Sequence, residues 1–475
     1  MKRTCLQTVT NNYKNKSCEF HPAIKKTNYF RMKITSTMLV FMFFVLAGFS
    51  QEAEKADNAK TGWNFGALPT ITYNTDLGFQ YGALVNLFNY GDGSAYPNYL
   101  HNIYMEVSRF TKGSAIYRLS YDSEYLIPGI RVTSDLAYLP DQAFDFYGFN
   151  GFESVFKASW QDDTSDEYKT RMFYKYQNKT FRFKTDIQIP FKDDRFLGLV
   201  GFNLQNFSVA KVDVERLNRG KAADDPKALP IKEPTLYDEY VNWGVIPEEE
   251  ADGGFVPLLK VGMVFDTRDN EPNPMKGMWT EAFLFGAPSF LGAESGFLKF
   301  NITHRQYFTL IKRDLSFAYR LGYQATLAGH APFYYQTQIE TSLMKDQLGL
   351  GGSKTIRGIN RNRVVGDGFV YGNAELRWKA VHFNWINQNF YIGLNGFFDF
   401  GQTVQKIDVE SIVAPLSSIQ QPDYFSFGNE SLHMSYGAGL RIVMNENFVI
   451  AVDYGKAVDP QDGTSGLYIG LNYLF

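Results

Sequence analysis

The nine residues Phe181-Arg182-Phe183-Lys184-Thr185-Asp186-Ile187-Gln188-Ile189 place Phe, Phe, Thr, Ile and Ile at odd positions and Arg, Lys, Asp and Gln at even ones. Successive side chains of a β-strand point to opposite faces, so this stretch reads as a strand with one apolar and one wet face. The beat recurs elsewhere. Phe79, Tyr81, Ala83, Val85 and Leu87 alternate with Gln80, Gly82, Leu84 and Asn86, and Phe317, Tyr319, Leu321, Tyr323 and Ala325 with Ala318, Arg320, Gly322 and Gln324. Ala115, Tyr117, Leu119 and Tyr121 likewise alternate with Ile116, Arg118, Ser120 and Asp122. Composition agrees. Of 475 residues 44% are hydrophobic, yet mean hydropathy is −0.27, so apolar and polar residues are interleaved rather than blocked. A soluble sandwich also alternates, but its strands average only about 5–6 residues. Here they run to about ten, and aromatics, 16% of the chain, crowd their ends as at membrane interfaces.

Residues 1–50 read as a presequence with a secretory signal peptide, its core at about 32–50. Met32-Lys33 precedes the apolar run Met38–Leu46, and Ala47-Gly48-Phe49-Ser50 supplies a cleavage site after Ser50. The run is too short for a bilayer-spanning helix, which takes about 20 apolar residues. Both cysteines, Cys5 and Cys18, fall in this part, so no disulfide or thiol nucleophile is expected beyond it. Eight of the basic residues fall there too, leaving 39 basic against 49 acidic residues after Ser50. That balance offers no basic field for nucleic acid. Six scattered His carry no ligand spacing, so no metal and no cofactor is expected.

Residues 51–62 form a short N-terminal periplasmic segment, and 63–475 a single domain of sixteen segments: about 63–73, 77–89, 100–110, 115–124, 130–139, 168–189, 196–209, 255–265, 278–286, 297–308, 315–327, 370–381, 390–400, 434–443, 447–455 and 465–475. The fold class is all-β, a 16-stranded antiparallel transmembrane β-barrel. An even count puts both termini at the periplasm. Connections such as Lys312-Arg313-Asp314 and Asn445-Glu446 then fall on the periplasmic side, and the long stretches 140–167, 210–254, 328–369 and 401–433 fall outside.

One of those stretches holds Gly349-Leu350-Gly351-Gly352-Ser353-Lys354-Thr355-Ile356-Arg357-Gly358-Ile359-Asn360. Its glycines suit a flexible loop, yet Ile356 and Ile359 flank an Arg-Gly pair with apolar side chains. Parity in 370–381 turns Glu375 inward with Tyr371, Asn373, Arg377 and Lys379. In 390–400 Asp399 shares the inner face with Gly393, Asn395 and Phe397. Two lumen carboxylates thus sit where an extracellular loop carrying Arg357 could fold inward, and a planar guanidinium is suited to clamp them.

These stretches together resemble the BamA/TamA-type superfamily of outer-membrane assembly and translocation barrels, the bacterial surface antigen family, in a short form lacking POTRA repeats. Gly351, Gly352, Ile356, Arg357, Gly358 and Ile359 are similar to the motif at the tip of the family's sixth extracellular loop, with Ile359 replacing the usual aromatic. Gly372-Asn373-Ala374-Glu375-Leu376-Arg377 and Phe397-Phe398-Asp399-Phe400-Gly401 resemble two of its strands. Asp266, Arg268, Asp269, Pro274 and Gly277 resemble its periplasmic turn after strand eight. The resemblance implies that the loop tucks into the lumen, that Arg357 pairs with Asp399, and that Glu375 lies close by. Arg361, four residues on, is expected to be dispensable.

An assembly barrel implies a junction that loosens. Pro69 in the first strand cannot donate to a ladder, while Gly466 and Gly470 weaken the last. Tyr468, Tyr473, Leu474 and Phe475 resemble a terminal aromatic targeting signal. The resemblance implies residence in the outer membrane of a Gram-negative bacterium and a role in inserting or translocating client outer-membrane proteins. A separate periplasmic protein or lipoprotein would stand in for the POTRA repeats. The alternative is a passive pore or structural barrel. A barrel hydrolase would need a Ser-His-Asp set, and His304, His330, His382 and His433 have no recognisable Ser partner in the sequence.

Overall fold

The computed structural model describes residues 60–475 except 95–98, 192, 194, 223–224, 226–227, 231–232, 272, 343–346, 386–387, 417–420 and 445–447. The presequence, both cysteines, residues 51–59 and the Asn445-Glu446 turn lie outside the described residues. The strands are β1 Trp63–Asn74, β2 Gly78–Asn89, β3 His101–Phe110, β4 Ala115–Ile127, β5 Ile130–Asp145, β6 Lys175–Pro190, β7 Phe196–Ala210 and β8 Gly253–Asp266. They continue as β9 Gly277–Ala287, β10 Phe297–Ile311, β11 Leu315–Gly329, β12 Gly368–Trp385, β13 Gln388–Gln405, β14 His433–Met444, β15 Phe448–Ala457 and β16 Ser465–Leu471. Each pairs antiparallel with its chain neighbour, and β1 meets β16, closing a sixteen-strand barrel. A two-residue ribbon, Gln338–Ile339 with Gln347–Leu348, lies between β11 and β12.

Burial follows the alternation. Arg182, Lys184, Asp186 and Gln188 are buried on the inner face of β6, while Phe181 and Phe183 are exposed outside. Leu119, Leu136, Val200, Val261, Leu321, Leu376 and Leu394 continue the exposed apolar belt around the wall. Several boundaries differ from the sequence reading, those of β6 and β5 the most. β6 starts at Lys175 rather than 168, because Phe173 and Tyr174 belong to an aromatic core built by the loops at one end of the barrel, with Phe146, Trp160, Tyr240 and Phe425. β5 runs on to Asp145, carrying Pro140 within it. The last ladder stops at Leu471, where Asn472 takes a left-handed φ of 68° and turns Tyr473 and Phe475 inward. The long connections 146–174, 211–252, 330–367 and 406–432 all leave the end that carries this aromatic core.

Candidate functional site

Glycines shape the 330–367 connection where it meets the wall. Gly351, Gly352 and Gly358 have φ of 113°, 81° and 96°, the left-handed region that a side chain disfavours. Gly358 is also pressed on β15: a Cβ there would lie 2.5 Å from Gly455 C and from Lys456 N. Thr355 Oγ1 accepts the Gly351 N–H at 2.9 Å, Gly352 N–H donates to Ile359 O at 2.9 Å, and Asn373 Nδ2 donates to Thr355 O at 2.6 Å. Ile356 and Ile359 are buried in a small apolar cluster with Leu350, Val364, Phe369 and Tyr371. Ile359 thus fills its place without an aromatic ring.

This frame aims Arg357 at the inner wall. Nε and Nη2 donate to Asp399 Oδ2 and Oδ1 at 2.8 and 2.9 Å, and the Arg357 backbone N–H adds a third bond to Oδ2 at 3.1 Å. Nη1 lies 2.7 Å from Glu375 Oε1 as an ion pair and 3.4 Å from Asp453 Oδ2. The guanidinium sits 3.5 Å from the Phe397 ring centroid. Burial works against its charge, but Asp399 and Glu375 hold it protonated well above its ordinary range. Arg377 binds the second oxygen of Glu375 at 2.7 Å, and Arg441 forks onto Asp453 at 2.8 and 2.9 Å. The sequence reading named Asp399 and Glu375 and placed Phe397 on the same inner face, but passed over Asp453 and Gly455. Parity along 447–455 would have turned Asp453 inward.

Other expected residues fall elsewhere. Arg361, expected to be dispensable, is not a free loop charge: its half-buried side chain spans Asp145 and Asp141, each at 2.7 Å, and Lys175 also pairs with Asp145. The turn after β8 stands apart from Arg357. Arg268 folds back on Asp266 at 2.7 Å, Asp269 Oδ1 accepts the Met275 N–H at 3.0 Å, Pro274 is buried, and Gly277 has a φ of 95°. From the same turn Asn273 donates to the Tyr391 hydroxyl at 2.7 Å. His433 lies between Asp462 (2.7 Å) and Glu430 (3.3 Å). His101 faces Ser123 at 3.0 Å, but that hydroxyl donates to Leu100 O and caps the Tyr125 and Leu126 N–H groups.

The β1–β16 junction is the weak line of the wall. Only Tyr73↔Ile469 and Asn74↔Tyr468 are paired, whereas the ladders β15–β16 and β12–β13 hold 7 and 17 pairs. Thr75 extends the contact to Leu467: its N–H and Oγ1 donate to Leu467 O at 3.1 and 3.0 Å, and Oγ1 accepts the Leu467 N–H at 2.7 Å. Pro69 belongs to the stretch of β1 that β16 does not reach. Gly466 makes room: a Cβ there would sit 2.1 Å from the Tyr468 hydroxyl, which accepts the Gly358 N–H at 3.1 Å. Gly470 has no neighbour within 4 Å of such a Cβ. Phe475 is buried against Tyr307 and Ala318, and its carbonyl accepts from Arg377 at 3.1 Å.

No curated protein sequence matches the chain. Among solved structures it is similar to BamA from Haemophilus ducreyi lacking POTRA domains 1–3, at 14% identity and a TM-score of 0.52, covering 87% of this chain and 71% of that one. It is similar also to CdiB from Escherichia coli, at 10% identity and a TM-score of 0.52, covering 88% of this chain and 64% of that one. At such identities the likeness is one of fold. The Omp85 superfamily domain, by contrast, matches the sequence itself over residues 107–475. With that match running from β3 through the loop arginine to the last residue, the chain belongs to the Omp85 superfamily.

Proposed function

We propose that this barrel sits in the outer membrane of a Gram-negative bacterium and aids insertion or translocation of client outer-membrane proteins by parting β1 from β16. Residues 1–50 direct its export, the short-turn end faces the periplasm, and a separate periplasmic protein or lipoprotein delivers clients. The reading rests on the two-pair junction. The unpaired edge of β1 offers N–H and C=O groups in strand register, which a client segment can bind by main-chain hydrogen bonds. Arg357 holds the loop against Asp399 while Gly358 touches Tyr468 beside that junction. The chemistry needs no cofactor and no catalytic residue.

A passive pore or structural barrel is the second reading. The aromatic core of the loops and the seated 330–367 connection favour a closed lumen over a conducting one. The deciding experiment uses Tyr73→Cys with Ile469→Cys, which face each other across the junction in a chain whose other cysteines are only Cys5 and Cys18. In cells depending on this variant, oxidation should deplete newly inserted outer-membrane proteins and a reductant should restore them. Full activity of the cross-linked form would refute the seam mechanism.

A further inference from the structure

Two arginines on the inner wall lie outside the ion-pair cluster of Arg357. Arg305 on β10 and Arg320 on β11 are direct partners in the β10–β11 ladder, and both are buried. Like charges directly opposite in an antiparallel pair repel, and buried charges are ordinarily paired. Here they are not. Among the described residues no hydrogen bond or ion pair reaches the Arg305 guanidinium, which lies 4.4 Å from the Trp279 ring with its Nε unpartnered. Arg320 donates from Nε to Asn373 at 2.8 Å and from Nη2 to Lys354 O at 3.0 Å, both neutral acceptors, and its Nη1 is unpartnered. Among the described residues no carboxylate makes an ion pair with either arginine. Glu281, on the strand beside β10, accepts from Thr341 Oγ1 at 3.0 Å and Ser342 N–H at 2.8 Å. Glu375 and Asp399 serve Arg377 and Arg357. The Arg320 guanidinium lies 5.3 Å from the Phe475 ring and 5.1 Å from the Tyr371 ring.

We propose that Arg305 and Arg320 form a lumen site for a doubly charged oxyanion of the phosphate class, either free phosphate or a lipid phosphomonoester. Two guanidiniums on directly paired wall positions, each with an unused donor, match the charge of such a group and can supply its oxygens with charge-assisted hydrogen bonds in place of the missing ion pairs. An anion between them also removes the repulsion that the ladder otherwise imposes.

The test is equilibrium dialysis of radiolabelled inorganic phosphate against the full chain in phosphatidylcholine nanodiscs. Saturable binding near one per chain is expected, at least tenfold weaker in Arg305→Gln and in Arg320→Gln, and unchanged in Arg195→Gln, whose side chain is exposed on a short turn. Arg305→Lys, which keeps the charge and loses the fork, should fall between wild type and Arg305→Gln, and it stands in should the Gln variant fail to fold by heat-modifiable gel mobility. Replacing part of the phosphatidylcholine by phosphatidic acid separates the sources. Competition assigns the site to a lipid phosphomonoester, and unaltered phosphate binding assigns it to the free anion. Absence of saturable binding in the wild type, or binding by folded Arg305→Gln or Arg305→Lys equal to wild type, overturns the proposal.

Discussion

Replacing Arg357 by Ala removes the one ion-pair partner that Asp399 has among the described residues, while Glu375 keeps Arg377 and Asp453 keeps Arg441. The cost therefore comes chiefly from a single carboxylate left buried without a guanidinium, about 3–5 kcal/mol by comparison with other broken buried pairs. Loss of the stacked contact on Phe397 adds about 1–2 kcal/mol. Asp399→Asn alone leaves Arg357 with Glu375 and Asp453, and should cost less. The double variant Arg357→Ala/Asp399→Asn removes the stranded charge and should recover about 2 kcal/mol of the loss relative to Arg357→Ala. Thermal unfolding of the detergent-solubilised barrel reports the global part, and trypsin cleavage after Lys354, an exposed residue of the same loop, reports its seating. If Arg357→Ala unfolds and cleaves as wild type does, the pair does not seat the loop. If the double variant is as impaired as the single, the stranded carboxylate is not the cause.

Gly358→Ala should be at least as damaging as Arg357→Ala, at about 3 kcal/mol or more, because backbone would meet backbone. Gly455→Ala should match it from the other side, its Cβ falling 2.5 Å from Arg357 O, and near-native unfolding of either would refute the close approach. Burial and the neighbouring Asp145 push the Asp76 carboxyl, in the β1–β2 turn, up to about 6 from 3.8, against Arg361, Lys175 and Lys112. A folded value above the unfolded one means that stability from the protonated form is full below about pH 4 and lost as pH rises through about 6, a gap of at most about 3 kcal/mol. Asp76→Asn should therefore raise the unfolding temperature at pH 8 and leave it unchanged at pH 4; equal shifts at both would contradict this. Replacing residues 349–361 by two glycines should increase steady conductance in planar bilayers, and unchanged current would mean that this segment does not occlude the lumen.

The strands were legible because a barrel wall imposes a period of two with opposite solvents on its faces, and every one of the sixteen segments meets a strand. Parity alone also turned Glu375 and Asp399 into the lumen, while their pairing with Arg357 came from the family resemblance. What failed was tertiary. Tyr168–Tyr174 reads as strand because it is aromatic, but its rings feed the core of the loops. Arg361 looks like a solvated loop charge until Asp141 and Asp145, more than two hundred residues earlier, are brought beside it. Gly455 fits a strand of any composition, and only the approach of Gly358 requires it to lack a side chain. Arg320 reads simply as one residue of an alternating strand; its opposition to Arg305 appears once the β10–β11 register is known.

The loop arginine and the incomplete ladder belong to one contact system. From the turn after β8, Asn273 reaches the Tyr391 hydroxyl, which lies 3.3 Å from that of Tyr473 in the inward-turned tail. Arg377 sits 4.4 Å over the Tyr473 ring and binds Glu375, which faces Arg357, and the next residue of the loop donates to Tyr468 on β16. Continuity of contact is not coupling, which requires an element with two arrangements that both ends bias. The β1–β16 junction is the one place in the wall where such an element is cheap: parting it breaks two ladder pairs and the short Thr75 extension, against at least seven pairs along any other strand boundary. At about 1 kcal/mol net per backbone hydrogen bond, that opening costs less than opening any other seam, and under the proposed function a client strand would replace the broken bonds as it binds.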